Sequence, residues 1–215
     1  MGRKANPEVP QRILEQAEHL IHLRGYNATT LDEIARSCKM TKANLFHHYT
    51  CKEQLALAVL DAKIRDYQEN RVSPLCAEGD PAESVLRMFT EAGKHYTGNG
   101  CKAGCFVANI AIEMSDVNEL FRKRTSLFFK GWTDNMAACL KKCKDRGGFD
   151  KDLDPKSAAE AIISLYEGAV LLARTHRDPS VFTRVGKLAR RLLDSHKITT
   201  TRRNTTMGPK TPCGC

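Results

Sequence analysis

The sequence predicts an all-α protein, in which an N-terminal helix-turn-helix bundle precedes a larger helical domain. Apolar residues recur at helical spacing, no segment alternates like a strand, and three short helix starts crowd the first 60 residues. The 215 residues, 41% of them hydrophobic, suffice for a substantial core. No apolar run approaches the ~20 residues of a membrane helix, and no apolar signal segment follows the basic N-terminus. We therefore expect a cytoplasmic protein without a membrane segment.

The N-terminal helical bundle is predicted from the residues that begin and end its helices. Apolar residues from Ile13 to Ile21 form one helical face that ends at Gly25. Thr30 and Glu33 form a capping box that opens a second helix. Thr41 is expected to cap a third helix running through His48, and Thr50 to cap a fourth that begins near Lys52. Such closely spaced helix starts are typical of a helix-turn-helix.

Pro and Gly residues mark the predicted boundaries between the segments of the chain. We expect an arm to about residue 8, a helix-turn-helix domain over 1–52, a second domain over 53–197 and a disordered basic tail over 198–215. Within the second domain, helix breaks are predicted at Gly79-Asp80-Pro81, Gly98-Asn99-Gly100, Gly147-Gly148, Asp154-Pro155 and Asp178-Pro179, with another at Ser73-Pro74.

The net charge of +9 is weak evidence for nucleic-acid binding. Residues 197–215 hold four basic and no acidic residues, whereas residues 1–60 hold eight basic against six acidic ones. The charge is therefore not concentrated in the predicted helix-turn-helix, and the evidence must come from the motif.

The segment Thr41–Tyr49 suits a recognition helix. Lys42, Asn44 and His47 are predicted to project outward, and the small Ala43 permits close approach to base edges. Asn pairs well with adenine, and Lys meets guanine or phosphate. We therefore predict that this segment enters the major groove of DNA.

The ordered set of motifs over roughly residues 9–60 resembles the TetR family of transcriptional regulators. It comprises Gly25-Tyr26-Asn27-Ala28-Thr29-Thr30, Leu31-Asp32-Glu33-Ile34-Ala35, Leu45-Phe46-His47-His48-Tyr49 and Lys52-Glu53-Gln54-Leu55. The resemblance implies a homodimer that binds operator DNA and releases it when a small-molecule effector binds. Activation in place of repression stays open at this stage.

The motif and the resemblance together name the candidate DNA contacts, which are Thr29, Thr30, Lys42, Ala43, Asn44, Phe46, His47, Tyr49 and Lys52. Lys52 is a phosphate candidate because it begins a helix. The alternatives are that Thr29 and Thr30 only cap a helix, and that Phe46 is a core residue. Phe46 also stands where the family usually has a Tyr that contacts phosphate. His48 is expected to pack inside the bundle.

Two stretches of the second domain, Cys101–Ala111 and Tyr166–Arg174, resemble one subgroup of TetR-like regulators. Aromatic and polar residues on otherwise apolar helices are the effector-pocket candidates, and they suit an aromatic or lipophilic ligand. They are Phe89, Tyr96, Phe106, Asn109, Glu113, Met114, Phe128, Phe129, Trp132 and Tyr166. The alternatives are that the aromatic residues form ordinary core, and that Asn109 and Glu113 pair with a neighbouring helix.

The last two helices are predicted over Ala158–Arg174 and Val181–Leu193, and the resemblance implies that they form the dimer interface. The small residues Ala158, Ala159, Ala161, Gly168 and Ala169 are expected to pack across the two-fold axis. A two-fold dimer suits DNA because paired recognition helices must lie ~34–36 Å apart. The effector is expected to shift the helix that begins at Lys52 and so change this separation.

Nine cysteines in a chain without a secretory signal indicate reduced thiols and no disulfide framework. The pairs Cys101/Cys105 and Cys139/Cys143, on predicted helical segments, and Cys213/Cys215 support an alternative, a redox- or metal-sensing repressor. Neither of the first two pairs has the C-x2-C spacing of common zinc or redox sites. We find no catalytic motif and expect no enzyme activity, no cofactor and no metal site.

Overall fold

The computed structural model describes residues 8–72 and 79–198, and this part of the chain is all α-helical, as predicted, with no strand. A π-helical turn, Gln68–Val72, continues the fourth helix. The predicted arm and Ser73-Pro74 break lie outside the described residues, as does all of the predicted tail except Ile198. The helices are α1 (Glu8–Arg24), α2 (Leu31–Ser37), α3 (Lys42–Phe46), α4 (Lys52–Tyr67), α5 (Pro81–Gly98), α6 (Phe106–Met114), α7 (Glu119–Asp145), α8 (Pro155–His176) and α9 (Ser180–Asp194).

Side-chain caps begin most of these helices. The Thr30 hydroxyl accepts from the Glu33 amide at 3.2 Å, and the Glu33 carboxylate accepts from the Thr30 amide at 2.9 Å, so the predicted capping box is confirmed. Asp80 and Asp154 cap α5 and α8, each followed by a proline in the first turn. Asn118, a cap that the sequence analysis missed, accepts from two amides at the start of α7.

Two predictions about helix ends are wrong. The cap of α4 is Cys51, whose sulfur accepts from the Gln54 amide, whereas Thr50 donates to the Gln54 side chain. The recognition helix α3 ends at Phe46 and does not run through His48, because the chain turns at His47.

The first bundle packs α1, α2, α3 and α4 around a core in which Ile13, Ile34, Leu45 and Leu55 are fully buried. In the second domain, α5 lies along α9, and α8 packs against both α7 and α9. Gly186 of α9 allows this close approach, because an added Cβ would lie 2.7 Å from the Cβ of Phe89. The buried side chains of both halves belong to one hydrophobic cluster.

Helix α4 links the two halves. It packs on α1 in the first bundle, where Lys63 pairs with Glu18 at 2.7 Å. It also contacts α6 and α7, and Arg124 of α7 pairs with Asp61 at 2.8 Å. A boundary at 52/53 stays a prediction, since α4 contacts both halves. No helix in residues 8–72 or 79–198 combines the length and apolar character needed to cross a bilayer.

Candidate DNA-binding and effector sites

The outer face of α3 is open to solvent. Lys42, Ala43, Asn44 and His47 are exposed, while Leu45 is fully buried and anchors the helix to the bundle. The hydroxyl of Thr41 accepts from the Asn44 amide at 3.2 Å and so fixes the first turn. The predicted outward residues are therefore available on one short, anchored helix.

Lys42 forms an exposed ion pair with Asp32 of α2, with 2.9 Å between Nζ and Oδ2. Exposed pairs of this kind contribute roughly 0–1 kcal/mol, so a phosphate or a guanine competes easily for the ammonium group. The pair links the first residue of α3 to the first turn of α2.

The remaining candidate DNA contacts differ in their exposure to solvent. Thr29, a predicted DNA contact, is buried and its hydroxyl donates to the Gly25 carbonyl at 2.8 Å, so it stabilises the fold and is not accessible to DNA. Thr30 is exposed, and Phe46 is 42% exposed, which argues against a core role. Tyr49 is half-buried, as is His48, which was expected to pack inside the bundle.

Lys52 lies against the turn between α1 and α2. Its ammonium group is 4.3 Å from the centre of the Tyr26 ring and donates to the Asn27 carbonyl at 3.3 Å. Partial burial lowers the pKa of Lys52 from its usual 10.5, while the carboxylates of Glu113 and Glu33 oppose that shift. The side chain thus remains a positioned cation beside the helix-turn-helix.

Glu113 was predicted to face the effector pocket, and that prediction is wrong. Its carboxylate oxygens accept from the backbone amides of Tyr26 at 2.8 Å and Asn27 at 2.6 Å. We call this contact the Glu113 clamp. Gly25 permits it, because φ there is +92° and an added Cβ would lie 2.9 Å from Glu113 Oε2. The clamp fastens α6 to the turn that precedes α2.

A second contact joins the halves nearby. His22 of α1 hydrogen-bonds the Gly104 carbonyl at 2.9 Å, and its ring meets Phe106 edge-on at 5.4 Å between centroids. Burial lowers the pKa of His22 below 6.5. Phe106 therefore belongs to the hydrophobic core where α1 meets α6, contrary to the prediction that it lines the effector pocket.

Asn109, also predicted to face the effector pocket, is instead held by hydrogen bonds to the loop before α6 and to α8. Its amide donates to the Ala103 carbonyl at 2.6 Å, and its oxygen accepts from Arg174 at 3.4 Å. The Cys105 thiol hydrogen-bonds the Glu167 side chain. The two stretches that resembled one regulator subgroup thus meet in space, although nothing in their spacing predicted this contact.

A cavity of about 380 Å³ lies between the end of α4 and helices α5, α7 and α8. Such a volume is within the usual range of small-molecule sites. Four of the predicted pocket residues, Tyr96, Phe128, Trp132 and Tyr166, line it. The sequence analysis missed the other lining residues, which are Tyr67, Asn70, Ser84, Arg87, Met88, Glu91, Ala92, His95, Cys105 and Glu167.

The other pocket predictions fail for a common reason, which is that their side chains pack into the core. Phe89 is fully buried against Tyr166 and Gly186, Met114 is buried, and Phe129 packs on the core from a half-buried position. Arg87, Glu91 and His95 recur every four residues on α5 and form a polar rim of the cavity. This spacing was visible in the sequence but was not used to predict the cavity.

Two hydrogen-bond donors in the cavity wall have no acceptor within the described part of the chain. Tyr96 is only 3% exposed as a residue, and its hydroxyl makes no hydrogen bond there. The indole Nε1 of Trp132 is buried and likewise unpartnered. Burial, followed by the neighbouring Tyr166, raises the pKa of Tyr96 far above 10.0, so its hydroxyl remains protonated.

Neither of the two predicted cysteine pairs within the described residues is joined by a disulfide. Cys101 and Cys105 lie in the loop between α5 and α6, not on one helix, and both are free and buried. Cys139 is disulfide-bonded, contrary to the expectation of reduced thiols, while Cys143 is free. Burial raises the pKa of the Cys105 thiol, and no metal-binding cluster occurs among the described residues. Cys213 and Cys215 lie outside those residues.

The last two helices carry an exposed apolar surface. Leu172 of α8 and Leu188 of α9 are exposed, beside the half-buried Leu165, Val185 and Leu192. We call these five residues the α8–α9 face. Three of the small residues predicted at a two-fold axis, Ala158, Ala159 and Ala169, are instead buried inside the subunit. Gly168 is half-buried, and an added Cβ there would meet nothing within 4 Å.

The fold and the exposed α3 define a helix-turn-helix DNA-binding protein with a second helical domain. The chain belongs to the TetR family of transcriptional regulators. The family model for bacterial regulatory proteins of the tetR family matches residues 13–59, and the model for the tetracyclin repressor-like C-terminal domain matches residues 81–189. Together these matches include both halves of the chain.

Individual relatives agree with this assignment. The transcriptional repressor DhaR of Mycobacterium sp. (strain GP1) is 24% identical over 175 residues, which cover 81% of this chain and 86% of DhaR. The regulator AcuR of Cereibacter sphaeroides is 28% identical over 164 residues, which cover 75% and 74%. A TetR-family regulator from Cytophaga hutchinsonii superposes with a TM-score of 0.79 at 21% identity, over 92% of this chain and all of that one. The reduced form of NemR from E. coli superposes with a TM-score of 0.75 at 19% identity, over 86% of this chain and 97% of NemR.

Proposed function

We propose that this regulator is a cytoplasmic repressor that binds operator DNA as a homodimer and leaves it when a small aromatic or lipophilic molecule occupies the cavity. The position of α4 is the observation that carries the proposal. The helix begins at Lys52, beside the helix-turn-helix, and ends at Tyr67, in the cavity wall. A ligand that displaces Tyr67 therefore acts on the same rigid element that supports the DNA-binding bundle.

Operator contact is assigned to the exposed face of α3. Asn44 and His47 are exposed and face solvent, where base edges can reach them, and Lys42 pairs with the exposed Asp32 of α2. Thr30 and Lys52 flank this face and are proposed to meet phosphates. Phe46 and Tyr49 complete the proposed surface, together with the small Ala43.

Release of DNA requires that the effector bind the DNA-free conformation more tightly than the DNA-bound one. Besides α4, the Glu113 clamp and the His22–Gly104 contact connect the bundle to α6 and the loop before it. Cys105, next to Gly104, lines the cavity. We propose that a ligand shifts these contacts together and rotates the bundle relative to the second domain.

A homodimer is proposed through the α8–α9 face. Its exposed leucines lie on the two helices that end the second domain, and burial of apolar surface of this kind drives stable association. A two-fold axis through this face duplicates α3, as two half-sites require.

The test is operator binding by the purified protein on DNA from upstream of its own coding sequence. Asn44→Ala is expected to lower specific affinity by roughly 10- to 100-fold, because it removes a base contact of about 1–3 kcal/mol. Lys52→Ala is expected to weaken binding to all sequences and to reduce the salt slope by about 1. Lys151→Ala, on an exposed loop far along the chain, is the matched control. Binding unaffected by Asn44→Ala and Lys52→Ala would refute the assignment.

Sensing by paired cysteines, the alternative to a small-molecule effector, has less support. The raised pKa of Cys105 keeps its thiol protonated and poorly nucleophilic. Cys143 is free although Cys139 is disulfide-bonded, so these two do not form the bond that the alternative needs.

A further inference from the structure

The polar groups of the cavity restrict the effector beyond its aromatic character. Five aromatic side chains, together with Met88 and Ala92, line the cavity, so the bulk of a bound molecule meets apolar surface. Tyr96 and Trp132 each also bring a donor group that makes no hydrogen bond to the described residues. The Trp132 N–H is buried without a partner, which is costly, and a ligand that supplies an acceptor to either donor gains a hydrogen bond.

The two groups call for the same partner. The indole N–H of Trp132 can only donate, and the Tyr96 hydroxyl is protonated and can donate as well. Trp132 Nε1 is buried, so the ring must tilt slightly to bring its N–H to a ligand. A ligand oxygen that accepts hydrogen bonds satisfies either donor, whereas a purely hydrocarbon ligand satisfies neither.

Charge argues against an anionic ligand. The Glu167 side chain lines the cavity close to Tyr96 and Cys105, and its negative charge opposes ionisation of both. A ligand carboxylate would meet the same field in a site of low polarity, where an unpaired charge is expensive. Arg87 is exposed at the rim and not in the inner wall.

We propose that the effector of this regulator is an uncharged aromatic molecule with a carbonyl-type acceptor oxygen, which the Tyr96 hydroxyl binds and to which Trp132 Nε1 supplies a second donor. This inference rests on the proposed function of the cavity as the effector site, and it names the chemical class of the ligand. Tyr96 and Trp132 determine specificity for the oxygen, while the remaining aromatic wall binds the ring system.

Benzophenone and 1,1-diphenylethylene form a matched pair of probes, because the second replaces the carbonyl oxygen by a CH2 group of similar shape. Trp132 is the sole tryptophan of the chain, so its fluorescence reports binding at this cavity directly. Calorimetry provides a measurement that does not depend on the indole. We expect the ketone to bind the full-length protein about tenfold more tightly than the alkene.

Three variants separate the roles of the wall. Tyr96→Phe keeps the ring and removes the hydroxyl, so the preference for the ketone is expected to fall to about twofold or less. Trp132→Phe, measured by calorimetry, is expected to reduce the preference by a smaller factor. Phe128→Leu, the control, loses aromatic surface without a polar atom and is expected to weaken both probes alike.

Equal binding of the two probes to the unmodified protein would overturn the inference, as would a preference that survives in both Tyr96→Phe and Trp132→Phe. Binding of neither probe would overturn it too, because the cavity would then not be an aromatic site. None of these measurements contains DNA. Operator binding that is lost in Asn44→Ala therefore tests the proposed function separately, and the ketone preference is expected to be unchanged in that variant.

Discussion

Two single residues, Glu113 and His22, connect the helix-turn-helix bundle to the second helical domain through hydrogen bonds. Both side chains hydrogen-bond backbone groups of the opposite half, and each contact joins segments more than 80 positions apart. Such contacts are specific, because a change of one atom leaves a backbone group without its partner.

Glu113→Gln tests the clamp at the residue scale. The amide keeps the shape but turns an NH2 group toward one of the two backbone amides of Tyr26 and Asn27, so one hydrogen bond becomes a repulsion. We expect the free energy of unfolding to fall by about 1–3 kcal/mol in a urea titration.

The matched control is Glu83→Gln, which neutralises an exposed pair with Arg190 at 2.6 Å. Its cost is expected to be about 1 kcal/mol or less. Equal effects of the two substitutions would show that the clamp is an ordinary surface contact.

At the scale of elements, α1 and the loop before α6 meet through His22, and the stability of this junction depends on pH. The folded pKa of His22 lies below 6.5 because burial disfavours the imidazolium ion. The hydrogen bond to the Gly104 carbonyl and the charge of Glu18 oppose the shift, and Lys63 and Arg174 add to it. The unfolded chain therefore binds the proton more readily, and the stabilisation is present above about pH 6.5 and is lost as the pH falls toward the folded pKa.

Replacement of His22 by Gln removes the titration but keeps a donor for the Gly104 carbonyl. The thermal midpoint of the unmodified protein is expected to fall more than that of the variant between about pH 7.5 and about pH 5.5. The difference between the two proteins isolates His22 from the other histidines. Parallel pH profiles would contradict a buried, neutral His22.

The elements themselves were largely predictable from the sequence, whereas their contacts were not. Asp80-Pro81 and Asp154-Pro155 begin helices because capping and proline geometry act within a few residues. Whether an aromatic residue lines a cavity depends on distant neighbours, so Trp132 and Phe89 were indistinguishable although only Trp132 reaches the cavity. Glu113 was misassigned because its partners are backbone amides, which no side-chain pattern reveals.

At the scale of the whole molecule, the proposed dimer depends on the α8–α9 face. Leu188→Glu places a charge on it and is expected to shift the sedimentation coefficient from dimer to monomer and to lower operator affinity by at least about tenfold. Leu188 is 54% exposed. Leu127→Glu on α7 is the control, since Leu127 is 68% exposed and lies on neither of these helices. A dimer that survives Leu188→Glu would require another interface.

Hydroxyl-radical footprinting on the DNA upstream of the coding sequence tests the central claim most directly, because it reports sequence selectivity and two-fold geometry together. We predict two protected patches on one face of the duplex, about 10 base pairs or a multiple of that apart, which Asn44→Ala abolishes and Lys151→Ala leaves intact. Uniform protection without preferred positions, or a footprint unchanged in Asn44→Ala, would contradict operator recognition by paired copies of α3.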